Sequence, residues 1–156
     1  MKSLCKLITV LLVSTSVFAA GMEQGIENIT VSNAHVRALP PTVKNTAAYF
    51  TINNHGAETL SLLGGYSDVA DSVQLHETLE ENGMMHMRHR MSAEIPAGGD
   101  LVLESGGLHL MIMGLNRVLA PGDSINLTLE FNDDQTLTIE VPVRSVMAEA
   151  MSHEHH

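Results

Sequence analysis

The 156-residue chain holds a single cysteine, Cys5, close to its start, and no tryptophan. Residues 1–19 read as a Sec-type signal peptide. Lys2 and Lys6 flank the start of an apolar run from Leu7 to Val13 that only Thr9 breaks, and Val17-Phe18-Ala19 supplies small residues for cleavage after Ala19. Cys5 leaves with that segment, so the expected mature protein has neither a disulfide nor a thiolate. A blue-copper electron-transfer site, which needs a Cys sulfur beside two His, is thereby excluded. Long apolar runs are also missing. Leu7–Val13 falls well short of the about 20 residues that span a bilayer, and no membrane anchor is expected in the mature form. Cys5 precedes the run, whereas a lipid-carrying cysteine at the cleavage site would follow it.

Basic residues are scarce. Lys and Arg number 8 against 18 Asp and Glu, a net charge of −10, and loss of Lys2 and Lys6 leaves six against 18, or −12. Such a chain repels nucleic acid and anionic lipid, and neither is expected as a partner. Enzyme signatures are missing as well. His76-Glu77-Thr78-Leu79-Glu80 and His153-Glu154-His155-His156 lack the H-E-x-x-H spacing that puts two His on one helical face. No Gly-x-Ser-x-Gly elbow and no phosphate-binding loop occurs, and no enzymatic activity is expected.

What is present is a regular series of short strands. Candidates are Ile29–Arg37, Ala47–Asn53, Thr59–Leu63, Ser72–Thr78, Met84–Met91, Leu101–Glu104, His109–Met113, Ser124–Phe131 and Gln135–Val143. Turn signals such as Glu81-Asn82-Gly83, Ala97-Gly98-Gly99-Asp100 and Pro121-Gly122-Asp123 separate them. Leu127, Leu129 and Phe131 alternate with Thr128 and Glu130, so that strand buries one face and wets the other. The pattern predicts a single all-β domain over residues 20–144, a sandwich or barrel. The 137 residues of the expected mature chain are enough for a core that stands without disulfides. Residues 145–156 break the alternation and read as a flexible Met/His-rich tail.

Methionine and histidine cluster. Of 10 Met, six lie between residues 76 and 113: Met84, Met85, Met87, Met91, Met111 and Met113. Four of the nine His lie there too: His76, His86, His89 and His109. Thioether sulfur is a soft donor suited to Cu(I), and imidazole suits copper in either oxidation state. In an oxidising compartment such donors outlast exposed thiols. Met is also a core filler, and strand periodicity helps to sort the two roles. Met85, Met87, His89 and Met91 share one face of their strand, with His86, Arg88 and Arg90 on the other, wet face. Met85 and Met91 are expected in the core. His76 shares a face with Gln74 and Thr78, opposite Val73 and Leu75. His109, Met111 and Met113 share a face opposite Leu110 and Ile112.

His76, ten residues, Met87, twenty-one residues, then His109-x-Met111 reproduces the H-x10-M-x21-H-x-M signature of the PCuAC family of periplasmic copper chaperones. Ala47-Ala48-Tyr49-Phe50, Ile95-Pro96-Ala97-Gly98-Gly99 and His109-Leu110-Met111-Ile112-Met113-Gly114-Leu115 also resemble the family, and the likeness runs from about Ile29 to Val143. The resemblance implies a cupredoxin-like β-sandwich that binds Cu(I) through His76, Met87, His109 and Met111. It also implies delivery to an acceptor, a cytochrome c oxidase subunit with its CuA centre or another copper chaperone. The extra Met and His nearby leave open whether Met85 or Met113 enters the set. The tail, with Met147, Met151, His153, His155 and His156, is expected to take Cu(II) by composition. The expected protein is a periplasmic monomer. Its rivals are a copper storage or scavenging protein and a structural β-domain whose Met and His only fill space.

Overall fold

A computed structural model describes residues 26–145. The expected signal peptide and all but the first residue of the expected tail lie outside the described residues.

Ten strands follow one another: β1 (Ile29–Arg37), β2 (Asn45–Asn54), β3 (Leu60–Tyr66), β4 (Ser72–Glu81) and β5 (Met84–His89), then β6 (Ala93–Ile95), β7 (Asp100–Leu103), β8 (Leu108–Met113), β9 (Ser124–Phe131) and β10 (Thr136–Arg144). The chain is all-β, as the alternation predicts, with one 3-10 turn at Asn132–Asp134. Two expected strands have the observed bounds, β1 and β9. The short β6 was not foreseen, and the expected Met84–Met91 strand stops at His89.

Hydrogen bonding runs in the order β5-β4-β8-β2-β1-β10-β9-β3-β6, with β7 paired to β2. A further pairing between β3 and β4 closes this sheet on itself around one core. The expected sandwich is thus a single sheet folded over and joined at its edge. All neighbours are antiparallel except β1 and β10, where Val36 pairs with Val143. Alternation supplies the filling: Leu75, Leu110, Ile112, Leu127, Leu129 and Val141 are fully buried. Their removal from water is the main favourable term in a chain without disulfides.

The closure depends on a glycine. Gly65 on β3 sits so close to β9 that a Cβ there would lie 2.4 Å from the Thr128 carbonyl oxygen. The lack of a side chain lets β3 pair with β9 and β4 at once (Gly65 with Leu129 and with Val73).

β4 is held on one flank by β8 and on the other first by β3 and then by β5. Its pairing with β8 ends near Glu77, whereas its pairing with β5 runs on to Glu81 opposite Met84. The β4–β5 hairpin therefore overhangs the closed sheet. Asn82 and Gly83 turn it with φ of 53° and 76°, the paired left-handed geometry that an Asn-Gly turn supplies.

The overhang corrects one expectation. Every residue of β5 is exposed. Met85 is 61% exposed and Met91 78%, and neither is in the core. No second layer covers the Met85 face of this edge strand, and Met91 lies beyond the strand's end at His89.

Candidate metal centre

Register brings the sequence-identified residues to one face. On β4, Gln74, His76 and Thr78 point the same way, and Val73 and Leu75 point into the core at 7% and 0% exposure. His109 on β8 lies directly opposite His76, and Met111 lies opposite Gln74. On the other flank, His89 of β5 lies opposite His76 and Met87 lies opposite Thr78. His76 is therefore the hub. His109 is its direct cross-strand neighbour, and Met111 and Met87 are its diagonal neighbours on opposite sides, at a spacing of about 7–8 Å. Thioether side chains with three rotatable bonds cover such a distance.

The two imidazoles are the best-defined members. Their ring centres are 6.1 Å apart. His109 is buried, and its Nδ1–H donates to the Gly107 carbonyl oxygen at 3.1 Å. A carbonyl only accepts, so Nδ1 carries the proton and Nε2 keeps its lone pair for a metal. His76 is set the other way round. Its Nε2–H donates to Oε1 of Gln74 at 3.2 Å, which leaves Nδ1 as the lone-pair nitrogen. Among the described residues, that Nδ1 is the one buried side-chain nitrogen or oxygen with no hydrogen-bond partner. Such an atom costs stability unless something binds it.

Charge favours the same state. Burial pushes the His76 pKa below its ordinary value, and the neighbouring imidazoles of His109 and His89 push it further the same way. The ring stays neutral, the form that ligates metal. Tyr49 walls His109 from the β2 side, ring centres 6.4 Å apart, and the Arg37 guanidinium lies 5.1 Å over the Tyr49 ring. The ion pairs Arg88–Glu81 and Arg90–Glu77 join residues of the opposite face of the hairpin.

Burial is graded across the quartet. His109 is 4% exposed and Met87 53%, with His76 and Met111 between them. Among the described residues no group of three or more His, Cys, Asp or Glu side chains is placed to hold a metal ion. The four motif residues comprise two imidazoles and two thioethers.

Four matches to known proteins bear on this chain. The family model LpqE-like ("Putative lipoprotein LpqE-like") matches residues 29–143. "Putative lipoprotein Lxx21020" of Leifsonia xyli subsp. xyli (strain CTCB07) is 40% identical over 119 residues, which cover 76% of this chain and 70% of that protein. This chain belongs to the LpqE-like family. The solution structure of Cu(I)-DR1885 from Deinococcus radiodurans is 36% identical, covers 80% of this chain and 83% of its own, and superposes with a TM-score of 0.62. The copper-bound PCuAC domain from PmoF2 shares the fold at 19% identity, with a TM-score of 0.64 over 76% of this chain and 93% of that one. The all-β fold of this LpqE-like protein is thus the PCuAC fold.

Sequence reasoning missed the residues that orient the two imidazoles. Gln74 and the Gly107 carbonyl each fix a ring tautomer in this LpqE-like protein, yet neither belongs to the motif. The sequence places His89 only as a face-mate of Met87. Its position opposite His76 depends on hairpin register, which the Asn82-Gly83 turn sets.

Proposed function

We propose that this protein carries Cu(I) outside the cytoplasm, holds it through His76, Met87, His109 and Met111, and hands it to an acceptor protein by ligand exchange. The observation that carries the reading is the pair of oppositely tied imidazoles, above all the buried, unpartnered Nδ1 of His76. Two neutral imidazoles and two thioethers make a soft, uncharged donor set that favours Cu(I) over Zn(II) and Cu(II). The exposed Met87 gives an incoming donor somewhere to displace a ligand, which a closed cage would deny.

Kinship with DR1885, whose Cu(I) form has been solved, supports copper as the cargo. The lipoprotein description of the LpqE-like family supports export. A cytochrome c oxidase subunit with its CuA centre is the acceptor that the motif suggests, with another copper chaperone as the alternative. The rival reading is copper storage or scavenging, which the exposed Met84, Met85 and Met91 favour. Titration of the apo-protein with Cu(I) against a competing chelator separates them. One tight ion per chain, lost on His76→Gln or His109→Gln, supports the carrier. Several ions of similar affinity that survive both substitutions overturn it.

A further inference from the structure

His89 is not part of the motif, yet it completes a row of three imidazoles across β5, β4 and β8. His89 lies directly opposite His76, and His76 directly opposite His109. The ring centres are 5.6 Å apart in the first pair and 6.1 Å in the second. Two imidazoles that share one ion through metal–nitrogen bonds of about 2.0–2.1 Å, as in zinc sites, set their ring centres about 6 Å apart. Both spacings suit a shared ion, and His76 is common to both pairs. The row also runs from water to core: His89 is exposed on the edge strand, His76 is half-buried and His109 is buried.

We infer that His89 is a transit ligand for Cu(I), binding the ion at the edge of the sheet and passing it across His76 to the resident site. This rests on the proposed carrier function and deepens it. In loading, a bond from copper to a His89 ring nitrogen forms as the bond to the external donor breaks. A bond to His76 Nδ1 follows, and His109 and the thioethers then displace His89. The ion stays Cu(I) throughout, so no electron is transferred; its coordination number rises as the His76 bond forms, and the His89 bond breaks as those to His109 and the thioethers form. Unloading reverses the order. Adjacent strands hold the three rings side by side, with centres 5.6 and 6.1 Å apart.

The test compares full-length mature wild type with His89→Gln, His89→Phe and His89→Met, together with His76→Gln as the resident-ligand control. Equilibrium Cu(I) affinity comes from competition with bicinchoninate, and loading and unloading rates come from stopped-flow exchange with the same chelator. A transit ligand predicts affinity within about twofold of wild type for all three His89 variants. Rates should fall about tenfold or more in the Gln and Phe variants, the scale on which losing a supporting group acts at metal sites, and recover in the Met variant, which restores a soft donor. His89→Phe keeps a ring against His76, so its slowness separates ligation from packing. Unchanged rates in His89→Gln overturn the inference. So does an affinity loss equal to that of His76→Gln, which would make His89 a resident ligand. If His76→Gln itself leaves affinity unchanged, the carrier site is wrong and the relay falls with it.

Discussion

His76 and His109 face each other across β4 and β8 with ring centres 6.1 Å apart, and each has the opposite nitrogen tied up. Gln74 holds Nε2 of one and the Gly107 carbonyl holds Nδ1 of the other. The arrangement costs the apo-protein stability, because the free His76 Nδ1 is buried without a partner. A buried unsatisfied group costs about 1–3 kcal/mol. His76→Phe should therefore leave apo stability unchanged or raise it by about 1 kcal/mol, while Cu(I) affinity falls at least tenfold, the lower end for disturbed metal sites. Urea unfolding and chelator competition on the same preparations give both numbers. A large loss of stability would mean that the ring is a structural element and not a waiting ligand.

The lowered pKa of His76 has a defined sign in stability. In the unfolded chain its imidazole titrates near the ordinary value of about 6.5, and in the folded chain it titrates lower because of burial and the two neighbouring imidazoles. Between the two values the unfolded state binds more protons. Stability of the apo-protein should hold above pH 6.5 and decline as pH falls through that value toward the folded pKa. In His76→Phe the decline should be shallower over the same range. Unfolding free energies measured across it for both proteins check this, and parallel curves would show that other groups carry the acid sensitivity.

The two motif methionines should behave differently as structural residues. Met87 is 53% exposed, so Met87→Leu should alter fold stability by no more than about 0.5 kcal/mol, as for other surface changes. Met111 is half-buried, and Met111→Leu should cost less than about 1.5 kcal/mol. Both should weaken Cu(I) binding, and the exposed Met91→Leu should not. With residues 145–156 removed, the domain should also prefer Cu(I) to Zn(II). Unchanged Cu(I) affinity in both motif variants would remove the thioethers from the site.

Much of this site is legible in local sequence, and the reason is the two-residue period. Gln74 and His76 alternate with Val73 and Leu75, and Met111 and Met113 alternate with Leu110 and Ile112, so the strand faces follow directly. Period alone does not tell whether another layer covers a face. Met85 and Met91 look like core by alternation, yet Met85 is exposed because β5 overhangs the sheet, and Met91 lies beyond the end of that strand. Nor does it give register: His89 stands opposite His76 because of a two-residue turn, and the β3–β4 closure rests on the missing side chain of Gly65. The strand β6 escaped notice because Ala93–Ile95 is too short for alternation to register.

Gly65→Ala tests that closure. A Cβ 2.4 Å from the Thr128 carbonyl oxygen meets backbone, which cannot rotate away. β3 must shift from β9, at a cost of about 1–3 kcal/mol or more, the scale of overpacking. Because β3 also pairs with β4 beside Gln74, the shift should reach the residue that orients His76. Both Tm and Cu(I) affinity should drop, and Gly98→Ala, with no atom within 4 Å of its added Cβ, serves as the strained but uncrowded control. Equal losses in the two variants would assign the effect to left-handed backbone at Gly98 and simple substitution at Gly65, leaving closure without a special role.

The tail should differ from the domain in both ion and pH response. Residues 145–156 contain Met147, Met151, His153, His155 and His156. Imidazole accepts Cu(II) readily, whereas a thioether-rich pocket prefers Cu(I). Imidazole binds only when neutral, and a free His has a pKa near about 6.5. Copper held by the tail should therefore be released as pH falls toward about 5. Met87 and Met111 take up no proton, and the His76 pKa is already pushed down, so Cu(I) in the domain should survive further into acid. Among the described residues, the last member of the core is Val143 on β10. A chain truncated to remove residues 145–156 should thus keep its fold and one Cu(I) while losing the acid-labile Cu(II). Bound Cu(II), measured by its absorbance from pH 7 to 5 in both forms, decides between the outcomes. Retention of all Cu(II) by the truncated chain would move that site into the domain.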